Sequence, residues 1–461
     1  MEKRATTIST HSNVSARARL LGGVKFRRKS KSSKGAKLEF IEGMRAVAAL
    51  YVVIGHICSM IDTQFLSVGK AGVAPWLHAL MSPFWHGHLA VAAFIVLSGF
   101  SLQYGLFHRG NGRVYGLGKF FLRRGLRILP AYYACLAFSL WVCNKVTIPN
   151  GDVLPFSNYV PIDDAVIWSH ILLVHNWSQA WMYKINGVLW SIGIEAQLYL
   201  IFPWLILLMQ KRSPRVLFVT VAIPALLIAA TVPGAAKLYS WFAILFAAGM
   251  ISAHYCFRPD LQKGLKPGIA AKTVVVGVAL TGIIVNYSLS QGRPFDAMTL
   301  VLSDLTFGIA TAAFLYYATA KPGTWLEKTF ANRNLVRVGI FSYSLYLLHH
   351  PLLQVLYLNR PAFALPLEMA FFYLLLVGVP VILACTWLFS LVFEKPFVKS
   401  TVPSFATDSP TQDRIQLPLI PFTEATLISN KANFAYLAGE KNADSEKSKS
   451  ASKPKKKGRL Y

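Results

Sequence analysis

The chain has 461 residues, 54% hydrophobic and 15% charged, with a formal net charge of +27. That balance excludes a soluble globular enzyme and fits a polytopic, all-α membrane protein. The excess Lys and Arg lies in the termini and in alternate loops, so it reads as the bias that orients membrane helices, with no nucleic acid implied.

Residues 1–38 are rich in Ser, Thr, Lys and Arg and have no apolar run, which predicts a disordered basic tail. The first apolar run starts near residue 40 and reads as an uncleaved first span rather than a signal peptide. Windows of about 20 apolar residues then give about ten transmembrane helices within residues 39–398. Their expected limits are 40–60, 83–105, 126–146, 188–209, 215–232, 236–256, 270–290, 298–320, 336–357 and 367–394. Residues 399–461 form a polar, basic low-complexity tail that is solvated or touches anionic lipid. The five cysteines lie in or near apolar segments without CxxC pairs, and read as small buried residues, not disulfides or a metal site.

Every second loop is basic. Loop 106–125 holds Arg109, Arg113, Lys119, Arg123 and Arg124, loop 210–215 reads QKRSPR, and loops 257–272 and 321–337 each carry four Lys or Arg. The intervening loops are poor in them: 61–82 has Lys70, and 147–187 has Lys184 against Asp152, Asp163 and Asp164. The positive-inside rule then predicts a multi-pass cell-membrane (inner or plasma membrane) protein with both termini in the cytoplasm. Loop 147–187, outside on this reading, is rich in Trp and Tyr, either as an interfacial segment or as a platform for sugar or lipid.

The ionisable residues inside apolar segments are the candidates for function, because each costs roughly 2.5–3.5 kcal/mol at a helix centre on insertion scales. In FIEGMRAVAALYVVIGHICSM, residues 40–60, Arg45 and His56 are eleven positions apart. That places them about 16 Å apart along one helix and on nearly the same face. By orientation, His56, Glu195, His349, His350, Trp190 and Ser191 are expected in the outer half, and Arg45, Arg124 and Arg127 in the inner part. A His beside a carboxylate is a general base. Guanidinium forks on the cytoplasmic side suit phosphate oxygens. A ligand with phosphates at one end and a reactive group some 15–20 Å away would bridge the two, and acyl-coenzyme A has that shape. The plainer alternatives are a snorkelling Arg, a satisfied core His, topology anchors at Arg124 and Arg127, and a polar helix end at His349 and His350.

These residues also stand in a family pattern. EGMRAVAALYVVIGH, AAFIVLSGFSL, RRGLRILPAYY, NGVLWSIGIEAQLYLIFP, SYSLYLLHHPL and EKPF, in that order, resemble the acyltransferase-3 family of integral membrane O-acyltransferases, the type of the O-antigen and exopolysaccharide acetylases. Glu42 stands where Asp is usual, and Ile95 replaces an aromatic. The resemblance covers about residues 38–398. It implies transfer of an acyl group, often acetyl, from acyl-CoA to a hydroxyl on a glycan, lipid-linked saccharide or secondary metabolite, with no metal. It implies His56 as the catalytic His, Glu195 as its supporting carboxylate with His349 nearby, and Arg45, Arg124 and Arg127 in donor handling. Some relatives carry a C-terminal esterase-like domain that this sequence does not show, which implies an acceptor met directly or through an envelope-biosynthesis partner protein. The competing class is a proton-coupled transporter of a polar or anionic solute, which also uses intramembrane His, Glu and Arg. Carriers often show two similar halves, and no such symmetry is visible.

Overall fold

The computed structural model describes residues 38–68, 72–110, 116–152, 154–231, 239–258, 266–290 and 296–400. The expected basic tails lie outside these residues, apart from the last turn of a short helix, Lys395–Ser400. By its contacts the chain divides into two units, 1–114 with 123–402, and 115–122 with 403–461; apart from the first turns of the helix Leu117–Val142, the description below concerns the first.

Among the described residues every regular element is helical and there is no strand. The long helices are α1 (Glu39–Ile61), α2 (Gly87–Gly110), α3 (Leu117–Val142), α4 (Trp190–Lys211), α5 (Pro214–Thr231), α6 (Phe242–Phe257), α7 (Pro267–Ser290), α8 (Ala297–Ala320), α9 (Ser342–Leu358) and α10 (Leu367–Phe393). In a bilayer a helix satisfies all its own backbone groups, so a chain this apolar is driven to this class. Eight of the spans are long and apolar enough to cross by themselves. The two others are the 16-residue α6 and the 17-residue α9.

Several expected boundaries differ from the structure, two of them instructively. Residues 117–125 are expected as loop, yet α3 begins at Leu117, because KFFLRR between Gly118 and Gly125 contains no helix breaker. The ninth span was expected from residue 336, yet the chain breaks between a short helix, Arg333–Gly339, and α9. Gly339 there passes so close to α1 that a Cβ would sit 1.9 Å from the Glu42 carbonyl oxygen, and Phe341 leaves helical geometry. In α10, Pro380 cannot donate its backbone bond, and a wider π turn at Leu374–Gly378 precedes it.

α1 packs against α2, α9 and α10, while α2 packs on α6 and α8. The α2–α6 crossing is reciprocal. A Cβ on Gly99 would stand 2.1 Å from the Phe246 carbonyl oxygen, and one on Gly249 would stand 2.1 Å from that of Val96. Small residues at such a crossing let two backbones approach, and close packing is what joins helices where lipid is as apolar as Leu. The glycine of LSGF therefore sets how α2 lies, and with it Ser98 and Ser101. None of the five cysteines forms a disulfide; four are buried, and Cys385 is exposed on α10.

Candidate active site

α1 and α2 together build a cavity of about 460 Å³ at the Arg45 end of the bundle, with α3, α4 and α9 completing its wall. The stripe Val91, Ile95, Ser98 and Leu102 of α2 lines it at steps of three and four, as one helix face must. Arg45, Arg124 and Arg127 all reach this cavity. Three carboxylates, Glu42, Glu195 and Glu394, reach it as well.

Each charge has company. Arg45 donates to Glu42 at 3.1 Å and to Ser101 Oγ at 2.7 Å. Arg127 lies within electrostatic range of Glu42, Glu195 and Glu394, and its side chain stays exposed because it faces the cavity. Ser98 and Tyr199 donate to Glu195 Oε1 at 2.7 and 2.5 Å. Ser344 donates to Glu394 through its hydroxyl at 2.5 Å and its N–H at 3.3 Å. Charges in such a place persist only when paired or hydrogen-bonded.

The histidines form a second, separate cluster. His56 Nδ1 lies 2.9 Å from the Val52 carbonyl oxygen and 3.2 Å from His349 Nε2. A carbonyl can only accept, so His56 Nδ1 carries the proton and Nε2 keeps its lone pair. His349 Nδ1 likewise faces the Leu345 carbonyl at 3.1 Å, which leaves its Nε2 to accept from His56. His56 Nε2 has no hydrogen-bond partner among the described residues, and the residue is only partly buried. His350 stands edge-on to His56, ring centroids 5.3 Å apart, and accepts from or donates to Tyr159 at 2.9 Å and Gln354 at 3.4 Å.

The structure thus brings His56 to His349, and Arg45 to Arg124 and Arg127, but it groups Glu195 with the arginines. The expected His56–Glu195 neighbourhood is not formed. Glu195 bonds Ser98, three residues along α2 from the Ser101 that Arg45 bonds, so it lies about one turn, ~4.5 Å, from the arginine level. His56 lies eleven residues, about 16 Å, from that level. An outer-half position for Glu195 requires the start of α4 to lie at the membrane surface. Instead the preceding connection is buried: Asn186 donates to Ser139 Oγ and to the Leu347 carbonyl, both at 3.1 Å, which puts the start of α4 already at the histidine level.

Tyr346 stands between the two regions. It lines the cavity, bonds Ser191 at 2.8 Å, and its ring lies 5.9 Å from that of His349. Tyr346, Tyr199, Ser98 and Glu394 stand within the family segments quoted above but were not singled out, because a polar side chain shows no role until its partner is known. Nor was Asp304, although the rule that singled out Arg45 applies to any carboxylate in an apolar span.

The 151–189 connection contains a second feature. His170 and His175 stack with centroids 4.1 Å apart and planes at 9°, both fully buried. Burial pushes His175 down to about 3, and the neighbouring His170 adds to the shift.

The Acyl_transf_3 family model, described as an acyltransferase domain, matches residues 38–391. The peptidoglycan O-acetyltransferase OatA of Listeria monocytogenes is 24% identical over 68% of the chain and 49% of its own length. The O-acetyltransferase OatA of Staphylococcus aureus is 24% identical over 71% of the chain and 52% of its own length. The chain therefore spans about half the length of the curated relatives it matches. No solved structure matches it significantly.

Proposed function

The chain belongs to the acyltransferase-3 family, and on that premise we propose that it is a membrane-embedded O-acyltransferase using acyl-CoA, in the first instance acetyl-CoA. The observation that carries this is the two-ended arrangement along α1: three arginines on a cavity at one end, and the His56 Nε2 lone pair about 16 Å away. On this reading the arginine end faces the cytoplasm, both termini are cytoplasmic, and the membrane is the cell membrane. Arg45, Arg124 and Arg127 receive the phosphates of the donor. The pantetheine arm runs toward Tyr346 and brings the thioester to His56.

The acceptor hydroxyl gives its proton to His56 Nε2 as its oxygen bonds the acyl carbon. The carbon–sulfur bond breaks, and the coenzyme A thiolate takes the proton back from Nε2. The imidazolium formed in between is held by the Val52 carbonyl and by His349 Nε2, which replaces the carboxylate expected there. Glu195 belongs to the donor end, setting Tyr199 and balancing Arg127. The names of the relatives, a peptidoglycan O-acetyltransferase among them, support an acceptor of the envelope-glycan class, either a glycan or a lipid-linked saccharide.

The test is transfer of labelled acetyl from acetyl-CoA to material in membranes that carry the protein, followed as base-labile label and free coenzyme A. Both should appear with the protein and not with membranes lacking it. Solute uptake driven by a pH gradient, with no acetyl transfer, would overturn the reading in favour of a transporter.

A further inference from the structure

A carboxylate-held imidazole does exist at the histidine end of this bundle, but it is neither His56 nor His349. Asp304 lies in the apolar α8 and is fully buried. Its Oδ1 is 2.7 Å from His88 Nδ1, and its Oδ2 accepts from Trp241 Nε1 at 3.0 Å. The carboxylate accepts only, so His88 Nδ1 carries the proton and Nε2 presents a lone pair. Nε2 has no hydrogen-bond partner among the described residues, and the His88 side chain keeps 7% exposure. That is the geometry of a poised hydrogen-bond acceptor whose tautomer is fixed by the acid behind it.

Its place on α2 says what it faces. His88 precedes Val91 by three residues and continues the stripe Val91, Ile95 and Ser98 that lines the donor cavity. It therefore lies about one turn, ~4.5 Å, beyond that stripe, toward the end where His56 lies. Behind its carboxylate, Tyr239 lies 5.1 Å from the Trp241 ring and stacks at 4.3 Å on Trp190, next in sequence to the cavity residue Ser191. On its other side the His86 ring stands 5.6 Å away and lines a second cavity, of about 390 Å³, together with Tyr51.

We propose that His88, held by Asp304, grips the hydroxyl-bearing acceptor by accepting a hydrogen bond at Nε2, as a positioning residue distinct from the reacting His56. This rests on the acyl-transfer reading and adds to it the place where the acceptor is held. His56 handles the proton in transfer; His88 orients the molecule that supplies it.

The decisive variant is Asp304→Asn. Trp241 Nε1–H can only donate, so the asparagine oxygen stays with Trp241 and its NH₂ turns to His88 Nδ1. His88 is then forced to carry its proton on Nε2, which becomes a donor and no longer an acceptor. Shape and both hydrogen bonds survive. Acetyl transfer from labelled acetyl-CoA to native membrane material should fall about 10- to 100-fold in Asp304→Asn and in His88→Ala, the size expected when a bound hydroxyl loses its partner. Acetyl-CoA affinity should stay at the wild-type value. His88→Gln, whose side-chain oxygen can replace the lone pair, should recover part of the rate. A purely structural pair predicts the opposite pattern: Asp304→Asn transfers normally. Wild-type transfer by Asp304→Asn overturns the proposal. If that variant fails to insert, equal wild-type rates in His88→Ala and His88→Gln overturn it instead. Retained transfer in His56→Ala would count against the acyl-transfer mechanism, not against this site.

Discussion

The arginine cavity and the histidine cluster solve one problem, a polar site among membrane helices, in opposite ways. The cavity is charged with both signs. Its arginines are matched by Glu42, Glu195 and Glu394, and its walls are accessible. In the histidine cluster His349 and His350 are fully buried, and the rings are satisfied by carbonyls, by one another and by Tyr159. Fixed cations beside carboxylates suit the capture of a polyanion, because a phosphate can take over contacts the carboxylates now make. A neutral imidazole with one bound proton and one open lone pair suits proton transfer, because it has a preset tautomer and no charge to lose beforehand.

The sharpest break between the two regions is His56→Ala. It should lower acetyl transfer about 10²–10⁴-fold, the usual cost of removing a general base, while acetyl-CoA binding stays intact. Equal loss of both would merge the two regions into one. Next in size, Arg127→Ala and Arg124→Ala should weaken acetyl-CoA binding about 10- to 100-fold by equilibrium binding, with Lys restoring only part, since it keeps the charge but loses the fork. Wild-type affinity in both would make them topology anchors.

Glu195→Gln separates the regions more finely. Its carboxylate sits with the arginines, so the change should shift donor affinity by no more than about tenfold and leave the rate at saturating acetyl-CoA nearly unchanged. A collapse of that saturated rate would return Glu195 to the side of His56. The smallest effect is on stability. His175 in the folded chain is held down to about 3 from 6.5 by burial. The unfolded chain therefore binds a proton first as pH falls, so stability is whole above about 6.5 and declines as pH drops toward 3. The slope should not exceed about 1.4 kcal/mol per pH unit for this group. Melting of the detergent-solubilised protein at pH 7, 6 and 5 should show it, and His175→Asn should flatten it; identical slopes would assign the acid sensitivity elsewhere.

Much of this was legible beforehand for identifiable reasons. Apolar runs of about 20 residues have few alternatives to a helix in lipid, so the spans could be read from composition alone. Arg45 and His56 share one helix, so their spacing and common face followed from its period. His349 came to His56 because each sits on a helix that runs unbroken up to it: the break at Gly339 precedes α9 and leaves the run from Ser342 to His349 intact. Glu195 did not, because α4 starts below the surface, under a connection whose burial depends on Asn186 reaching Ser139 and Leu347. The break before α9 was hidden for a similar reason: Gly339 yields to the backbone of α1, a contact 297 residues away in the chain between Gly339 and Glu42.

By itself the sequence determined the helical class, the basic loop alternation, and the two-ended polarity of α1, all of which depend on nearest neighbours in the chain and on the solvent. Tertiary structure alone decided which carboxylate meets which base. A side chain in a bilayer must find its partner on another helix, and the partner depends on depth, rotation and crossing of both. That is why His56 is left with a carbonyl and His349, and why a carboxylate-held imidazole forms instead at His88, bound to an aspartate 216 positions away.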